Sequence, residues 1–240
     1  MVKNNPDDSD FPEGQGRQPS LFAVLDGDTH KLFVDRCKKV TFDSGQSIFI
    51  QGNDHSFCYI INEGLIRTYY VAPSGREATL GYWSTGDLVG GPSVFGGGPH
   101  IWSAVAQKPS KVLAISGPEL RKFAGEHNQV YSWLIDVLDF KLRWLSTLFQ
   151  IHGTENVQER LAKLLLMLGD IYGEENPGGT IIKQKISQND LATLVGASRQ
   201  WTNKALKQLA EKGLLSIDDQ FMTLHDPVAF RAMIGDEGPD

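Results

Sequence analysis

The chain has 240 residues, 40% apolar and 22% charged, with a formal net charge of −6 and two cysteines. That composition supports a packed core and excludes a disordered chain or a disulfide scaffold. No apolar run approaches the roughly 20 residues that cross a bilayer, and Met1 to Ser20 has no apolar stretch of the kind a secretory signal needs, so a cytoplasmic protein without membrane contact is expected.

Residues 1–20 are rich in Asp, Asn, Gly, Pro and Gln and are expected to be a disordered tail. Residues 21–37 read as helical, with an interruption near Asp26 and Gly27. From Val40 to Ile115 the pattern becomes short β-type runs at 47–50, 57–61, 65–71, 78–83, 102–106 and 112–115, separated by glycines. Ser74-Gly75 has the composition of a hairpin turn between two of the longer runs. Short strands at regular spacing with glycine turns predict a sandwich or barrel. A short helix is expected from Pro118 to Ala124, closing a domain of residues 21–126.

Residues 129–152 contain no Gly or Pro and read as one long helix within a segment 127–153. Val130, Leu134, Val137, Trp144, Leu148 and Ile151 recur at alternating four- and three-residue spacing, with Lys141 as the one polar break. A second stripe, Leu138, Leu142, Leu145 and Phe149, lies on an adjacent face. Two wide apolar faces are hard to cover inside so small a domain, so one stripe is expected to pack on the β-region and the other on a second copy of the chain, with Leu134 and Leu148 expected in the dimer seam.

Gly153 ends that helix and a further domain is expected over residues 154–235. Asn156 with Glu159 can cap its first helix, whose Val157, Leu161, Leu164, Leu165 and Leu168 hold helical spacing. A loop at 173–179 and a short strand at 180–182 follow. Ser187 is a candidate N-cap for a helix over 188–195, Gly196 breaks it, and Ser198 caps a second helix over 199–209. Ala192, Gly196, Leu191, Val195, Leu206 and Leu209 supply the small, turn and apolar positions that a helix-turn-helix requires. Ser198, Arg199, Gln200, Asn203, Lys204 and Lys207 cluster at and after the start of the second helix, and are residue types that bond base edges or phosphates in a major groove. From Lys183 to Lys207 the cations are Lys183, Lys185, Arg199, Lys204 and Lys207, against one acid, Asp190, so the local charge suits DNA although the whole chain is acidic. Leu214 to Ile217, a polar turn at Asp218 to Gln220, and Phe221 to Leu224 read as a β-hairpin wing.

The run Ile186-Ser187-Gln188-x-x-Leu191-Ala192-x-x-Val195-Gly196-x-Ser198-Arg199-Gln200-x-x-Asn203-x-x-Leu206-x-x-Leu209, followed by Gly213-Leu214-Leu215, resembles the DNA-binding signature of the cyclic-AMP receptor protein/fumarate-nitrate regulator (Crp/Fnr) family. Tyr59-x-Ile61-x-x-Gly64 and Trp83-x-x-Gly86-Asp87-x-x-Gly90 in the β-region resemble it as well. The resemblance implies an α+β protein: a cyclic-nucleotide-binding-type β-barrel (a double-stranded β-helix jelly roll), a long dimerisation helix and a winged helix-turn-helix. It also implies a homodimer on an inverted-repeat operator in double-stranded DNA, with RNA polymerase as a further partner. On that resemblance Arg199, Gln200 and Lys204 occupy the base-reading positions, with Gln200 where the family usually has Glu. Trp201 replaces a common Thr and is expected to be a hinge or core contact, and the acidic wing turn at Asp218-Asp219 to contribute little affinity.

Family members that bind cyclic AMP hold its ribose and phosphate with a Gly-Glu and an Arg-Ser pair. Here Gly90-Gly91 stands in the first place and His100-Ile101 in the second, and no register within two residues restores an arginine. Cyclic AMP is therefore not expected to bind in the usual way. Gly90, Gly91, His100, Ile101 and Trp102 are the candidate effector-pocket residues, and the cofactor is left unknown, with haem, a cyclic dinucleotide or no effector all open. Two cysteines are too few for a four-cysteine iron–sulfur site. The remaining readings are a cyclic-nucleotide-binding module without DNA binding and a jelly-roll enzyme. The enzyme needs two or three histidines and a carboxylate on strands, whereas His55 and His100 are expected in loops, so the chain is read as no enzyme.

Overall fold

In the computed structural model the described residues are 18–75, 77–90, 93–153, 156–184 and 186–234. The expected disordered tail, apart from 18–20, lies outside them, as does Gly91. Two compact units form, one from residues 18–150 with 192–197, the other from 151–191 with 198–234.

The first unit opens with α1 (Leu21–Val24) and α2 (Gly27–Arg36). The interruption between them is a cap: Asp26 accepts from the Thr29 backbone N–H at 2.8 Å. Eight strands follow, β1 (Lys38–Phe42), β2 (Ser47–Phe49), β3 (Phe57–Glu63), β4 (Leu65–Val71), β5 (Glu77–Ser84), β6 (Leu88–Val89), β7 (Ser103–Ala106) and β8 (Ser110–Ser116). They form two four-stranded antiparallel sheets in the orders β1-β8-β3-β6 and β2-β7-β4-β5. The architecture is jelly-roll-like but not a closed barrel: the three-residue β2 and two-residue β6 at sheet edges are too short to continue the ladder. Inward and outward residues alternate along β5, where Thr79, Gly81 and Trp83 point in. Between β3 and β4 only glycine fits at Gly64, with φ +128° and a Cβ that would lie 2.2 Å from Ser110 Oγ. Strands β1 and β6 leave no clear trace in the sequence, since β1 begins with two lysines and β6 is a single pair of residues.

After α3 (Gly117–Glu126) comes α4 (Asn128–Gly153), a 26-residue helix. Val130, Trp133, Leu134 and Val137 join a core with Phe33, Ile60, Ile115 and Phe123. Trp144 and Leu148 are also buried. On the adjacent face Tyr131, Ile135, Leu138, Leu142, Leu145 and Phe149 are exposed, at alternating four- and three-residue spacing. The stripe through Leu134 and Leu148 is therefore buried within its own chain, which corrects its expected place in the dimer seam, and the exposed stripe is the one through Leu142 and Phe149.

The remaining elements are α5 (Val157–Tyr172), β9 (Gly173–Asn176), β10 (Gly179–Ile182), α6 (Gln188–Val195), α7 (Arg199–Glu211), β11 (Leu215–Asp218), β12 (Phe221–Leu224) and α8 (Pro227–Met233). The segment expected as a loop at 173–179 supplies β9, which pairs with β10, and the sheet runs β11-β12-β10-β9. Leu161, Leu164, Leu165 and Leu168 of α5 are buried as their spacing requires. The unforeseen α8 is capped by Asp226, which accepts from Ala229 N, and buries Phe230 completely.

Candidate functional site

The start of α6 is fixed by a reciprocal pair. The Ser187 hydroxyl donates to Asp190 Oδ2 at 2.7 Å and accepts from Asp190 N at 3.1 Å, while Asp190 Oδ2 also accepts from Ser187 N at 3.1 Å. The one acid of the basic span is thus held at a helix N-terminus. Gly196, at φ +69°, turns the chain, and Ala197 N closes the turn on Ala192 O at 3.0 Å. Ser198 then caps α7, its hydroxyl accepting from Trp201 N at 3.3 Å. The apolar positions Leu191, Ala192, Val195, Leu206 and Leu209 are all buried.

These constraints leave Arg199, Gln200, Lys204 and Lys207 exposed on α7. Asn203 is half-buried, and its Oδ1 has no hydrogen-bond partner among the described residues. Lys207 reaches Glu211 at 3.6 Å, with both side chains well exposed. Trp201 is 59% exposed, which corrects the expectation of a core contact: the inward face of α7 is Thr202, Ala205, Leu206 and Leu209. The Lys204 ammonium sits 5.0 Å above its ring. Trp201 also borders a groove with Val157, Gln158 and Gln208, where Gln158 Nε2 donates to Gln208 Oε1 at 2.8 Å. Beside α7 the β11–β12 hairpin turns through Asp219 and Gln220, both left-handed at φ 43° and 70°.

In the first unit a cavity of about 200 Å³ lies between the sheets and α4. Gly90 and Trp102 line it, and the Trp102 indole N–H donates to Gly90 O at 3.1 Å. His100 and Ile101 do not. His100 is buried, its imidazole stacked on Phe49 at 4.0 Å and 4.6 Å from the His55 ring, while Ile101 is 51% exposed. The backbone explains the split: Gly52 N donates to His100 O and His100 N donates to Asn53 O, tying His100 to the loop after β2.

A family model for the cyclic nucleotide-binding domain matches residues 39–127, and one for the Crp-like helix-turn-helix domain matches residues 159–233. The chain belongs to the Crp/Fnr family of transcription regulators. It is 28% identical to the "CRP-like cAMP-activated global transcriptional regulator" of Mycobacterium tuberculosis over 88% of this chain and 91% of that protein. It is 26% identical to the "Anaerobic regulatory protein" of Bacillus subtilis, over 84% and 85% respectively. Its fold is that of a CooA variant from Carboxydothermus hydrogenoformans, with a TM-score of 0.81 at 17% identity, covering 92% of this chain and 98% of that one.

In this Crp/Fnr regulator the cavity beside α4 holds a buried cation. Lys141 of α4 is the one charged side chain among the described residues that line it. The Lys141 residue is half-buried, but its ammonium is set deep, donating to Leu88 O at 2.7 Å and lying 5.0 Å over the Trp83 ring. Burial draws its pKa down to about 8, against an upward pull from the Asp87 carboxylate. The sequence marks Lys141 only as a break in an apolar stripe, and a lone cation in such a stripe is the signal that points to it. Cys58, nearby, donates its thiol to Val94 O at 2.9 Å and is pushed up to about 12 by burial, so it stays protonated. Among the described residues no group of three or more His, Cys, Asp or Glu is disposed to hold a metal ion, and no helix is long and apolar enough to cross a membrane.

Proposed function

We propose that this Crp/Fnr regulator works in the cytoplasm as a homodimer that reads an inverted-repeat operator through α7 and adjusts its grip in response to an effector in the α4 cavity. The observation that carries this reading is the exposed row Arg199, Gln200, Lys204 and Lys207, presented at the capped start of a helix that follows a glycine turn. Arg199 suits bidentate contact with guanine, and Gln200 suits adenine. Lys204 is one turn further on, for a base or a flanking phosphate, and Lys207 takes a phosphate. Ser198 orients the helix start, and the half-buried Asn203 approaches the duplex edge-on. The exposed seam Tyr131, Ile135, Leu138, Leu142, Leu145 and Phe149 supplies the dimer contact. An inverted repeat read by a dimer has half-sites about 34 Å apart, one helical turn of DNA. RNA polymerase is the further partner that such a regulator addresses. Gly90 and Trp102 belong to the effector pocket, and His100 and Ile101 serve packing and turn geometry.

Selection from random duplexes, followed by gel-shift, tests the reading. A symmetric site whose affinity collapses in Arg199→Ala is expected. Recovery of no symmetric site would remove the operator reading.

A further inference from the structure

We propose that the α4 cavity binds a small apolar acid, a compact hydrocarbon or aromatic body carrying one carboxylate or phenolate, with the acid's oxygen accepting from Lys141 Nζ. The inference rests on the reading of the first unit as a sensor, and adds to it the chemical class of the effector.

The walls set the body of the ligand. Leu80, Leu88, Val94 and Val137 contribute aliphatic surface, and Trp83, Trp102 and Trp144 contribute ring faces. Every indole N–H among those three already has an acceptor within the chain: Trp83 donates to Thr68 Oγ1 at 2.8 Å, Trp102 to Gly90 O and Trp144 to Leu80 O. The Thr68 hydroxyl in turn donates to Gly81 O. The rings therefore offer faces and edges without free donors, and a sugar or a purine with several polar groups would leave most of them unpaired. A cavity of about 150 Å³ holds benzene, so about 200 Å³ holds one ring with a short acidic arm.

Lys141 sets the head of the ligand. An ammonium has three donors, and among the described residues this one makes one hydrogen bond, to a neutral carbonyl, and one contact with a ring face. No carboxylate among the described residues lies within ion-pair distance of it. Asp87 acts on it through space, while one oxygen of Asp87 accepts from Ser84 N at 2.7 Å. A cation in apolar surroundings with unused donors is costly unless an anion arrives. A ligand carboxylate would supply both the charge and the acceptors. Leu138, Leu142 and Leu145 line the same cavity and belong to the exposed seam of α4, so an occupant adjoins the dimer contact.

The test uses the full chain and four probes: phenylacetate, benzoate, hexanoate and the neutral phenylacetamide. Calorimetry and the fluorescence of the cavity tryptophans report binding. At least one of the three acids is expected to bind wild type, phenylacetate at least tenfold more tightly than phenylacetamide. In Lys141→Met that preference for the acid is expected to fall to about one, with the melting temperature confirming that the variant folds. If no acid binds at millimolar concentration, if acid and amide bind alike, or if the preference survives in Lys141→Met, the inference is overturned. A parallel operator gel-shift separates the two readings: DNA binding without any acid binding removes only the ligand, and acid binding through Lys141 without DNA binding removes the regulator reading.

Discussion

The imidazole of His100 lies flat on the ring of Phe49, with centroids 4.0 Å apart and planes within 8°. His55 approaches the same imidazole at 4.6 Å, and both rings are buried. Burial, followed by the neighbouring His55, draws His100 down to about 4, and burial lowers His55 as well. The pair is thus a neutral packing element of the sheet edge.

A pH dependence of stability follows. The native state disfavours the imidazolium, so the unfolded chain binds more protons between the ordinary histidine value of 6.5 and about 4. Stability contributed by neutral His100 is fully present above pH 6.5 and is lost as pH falls through that window, with a slope of up to about 1.4 kcal/mol per pH unit for each proton taken up. His100→Phe keeps the stack and removes one titration, so its acid-unfolding midpoint is expected at lower pH. Urea titrations at several pH values check this, and parallel slopes for variant and wild type would exclude it.

Lys141 predicts the opposite kind of gain. Its native pKa of about 8 lies below the ordinary 10.5, so the buried ammonium destabilises the fold at neutral pH and is relieved as pH rises between those values. Lys141→Met should therefore melt higher than wild type at pH 7, and the difference should shrink toward pH 10. A lower melting temperature for Lys141→Met at neutral pH would mean that the ammonium stabilises the unliganded fold.

The two faces of α4 respond differently to charge. Leu142→Glu with Phe149→Glu places carboxylates in the exposed seam, and is expected to give a folded monomer with weakened operator binding. Leu134→Glu places one in a site only 3% exposed, and is expected to cost several kcal/mol and to unfold the first unit in part. Sedimentation velocity alongside melting curves distinguishes the two, and a Leu142/Phe149 double variant that stays dimeric moves the interface elsewhere.

On α7 the contributions divide by chemistry. Arg199→Ala is expected to cost about 1–3 kcal/mol per half-site and to relax discrimination at one base pair. Lys207→Ala should weaken all sequences alike and flatten the salt dependence. Because Glu211 lies 3.6 Å from Lys207, Glu211→Ala should tighten binding without changing the preferred site. Gel-shifts across a salt series on the selected operator and on a scrambled duplex read all three. An Arg199→Ala that keeps wild-type preference would mean that this face of α7 is structural.

Cyclic AMP is not expected to switch the protein. Among the described residues the cavity presents Lys141 but no arginine and no carboxylate for a ribose hydroxyl. Calorimetry that finds micromolar cyclic AMP binding together with tighter operator binding would refute this.

The helix-turn-helix was legible in the chain because its determinants are local. Ser187 with Asp190, Gly196, Ser198 and the apolar spacing of α6 and α7 each act within one or two turns of backbone. The two stripes of α4 were legible for the same reason, since helical period alone reveals them. Which stripe faces inward was not legible: both are apolar at helical spacing, and only the elements that pack on Val130, Leu134, Val137 and Trp144 decide it. Strands β1 and β6 stayed hidden because their pairing with β8 and β3 is long-range and their own residues carry little β signal. The sequence also set His100 and Ile101 beside Gly90 in one pocket by counting along the chain. His100 and Ile101 stay out of the cavity lining, because backbone bonds to Gly52 and Asn53 hold His100 on Phe49, while α4 brings Lys141 to the cavity instead. A sequence by itself determines what neighbours along the backbone can do, and a cavity built from β4 to β6, the segment up to Trp102 and a helix some fifty residues after Leu88 exists only once burial of apolar surface has brought them together.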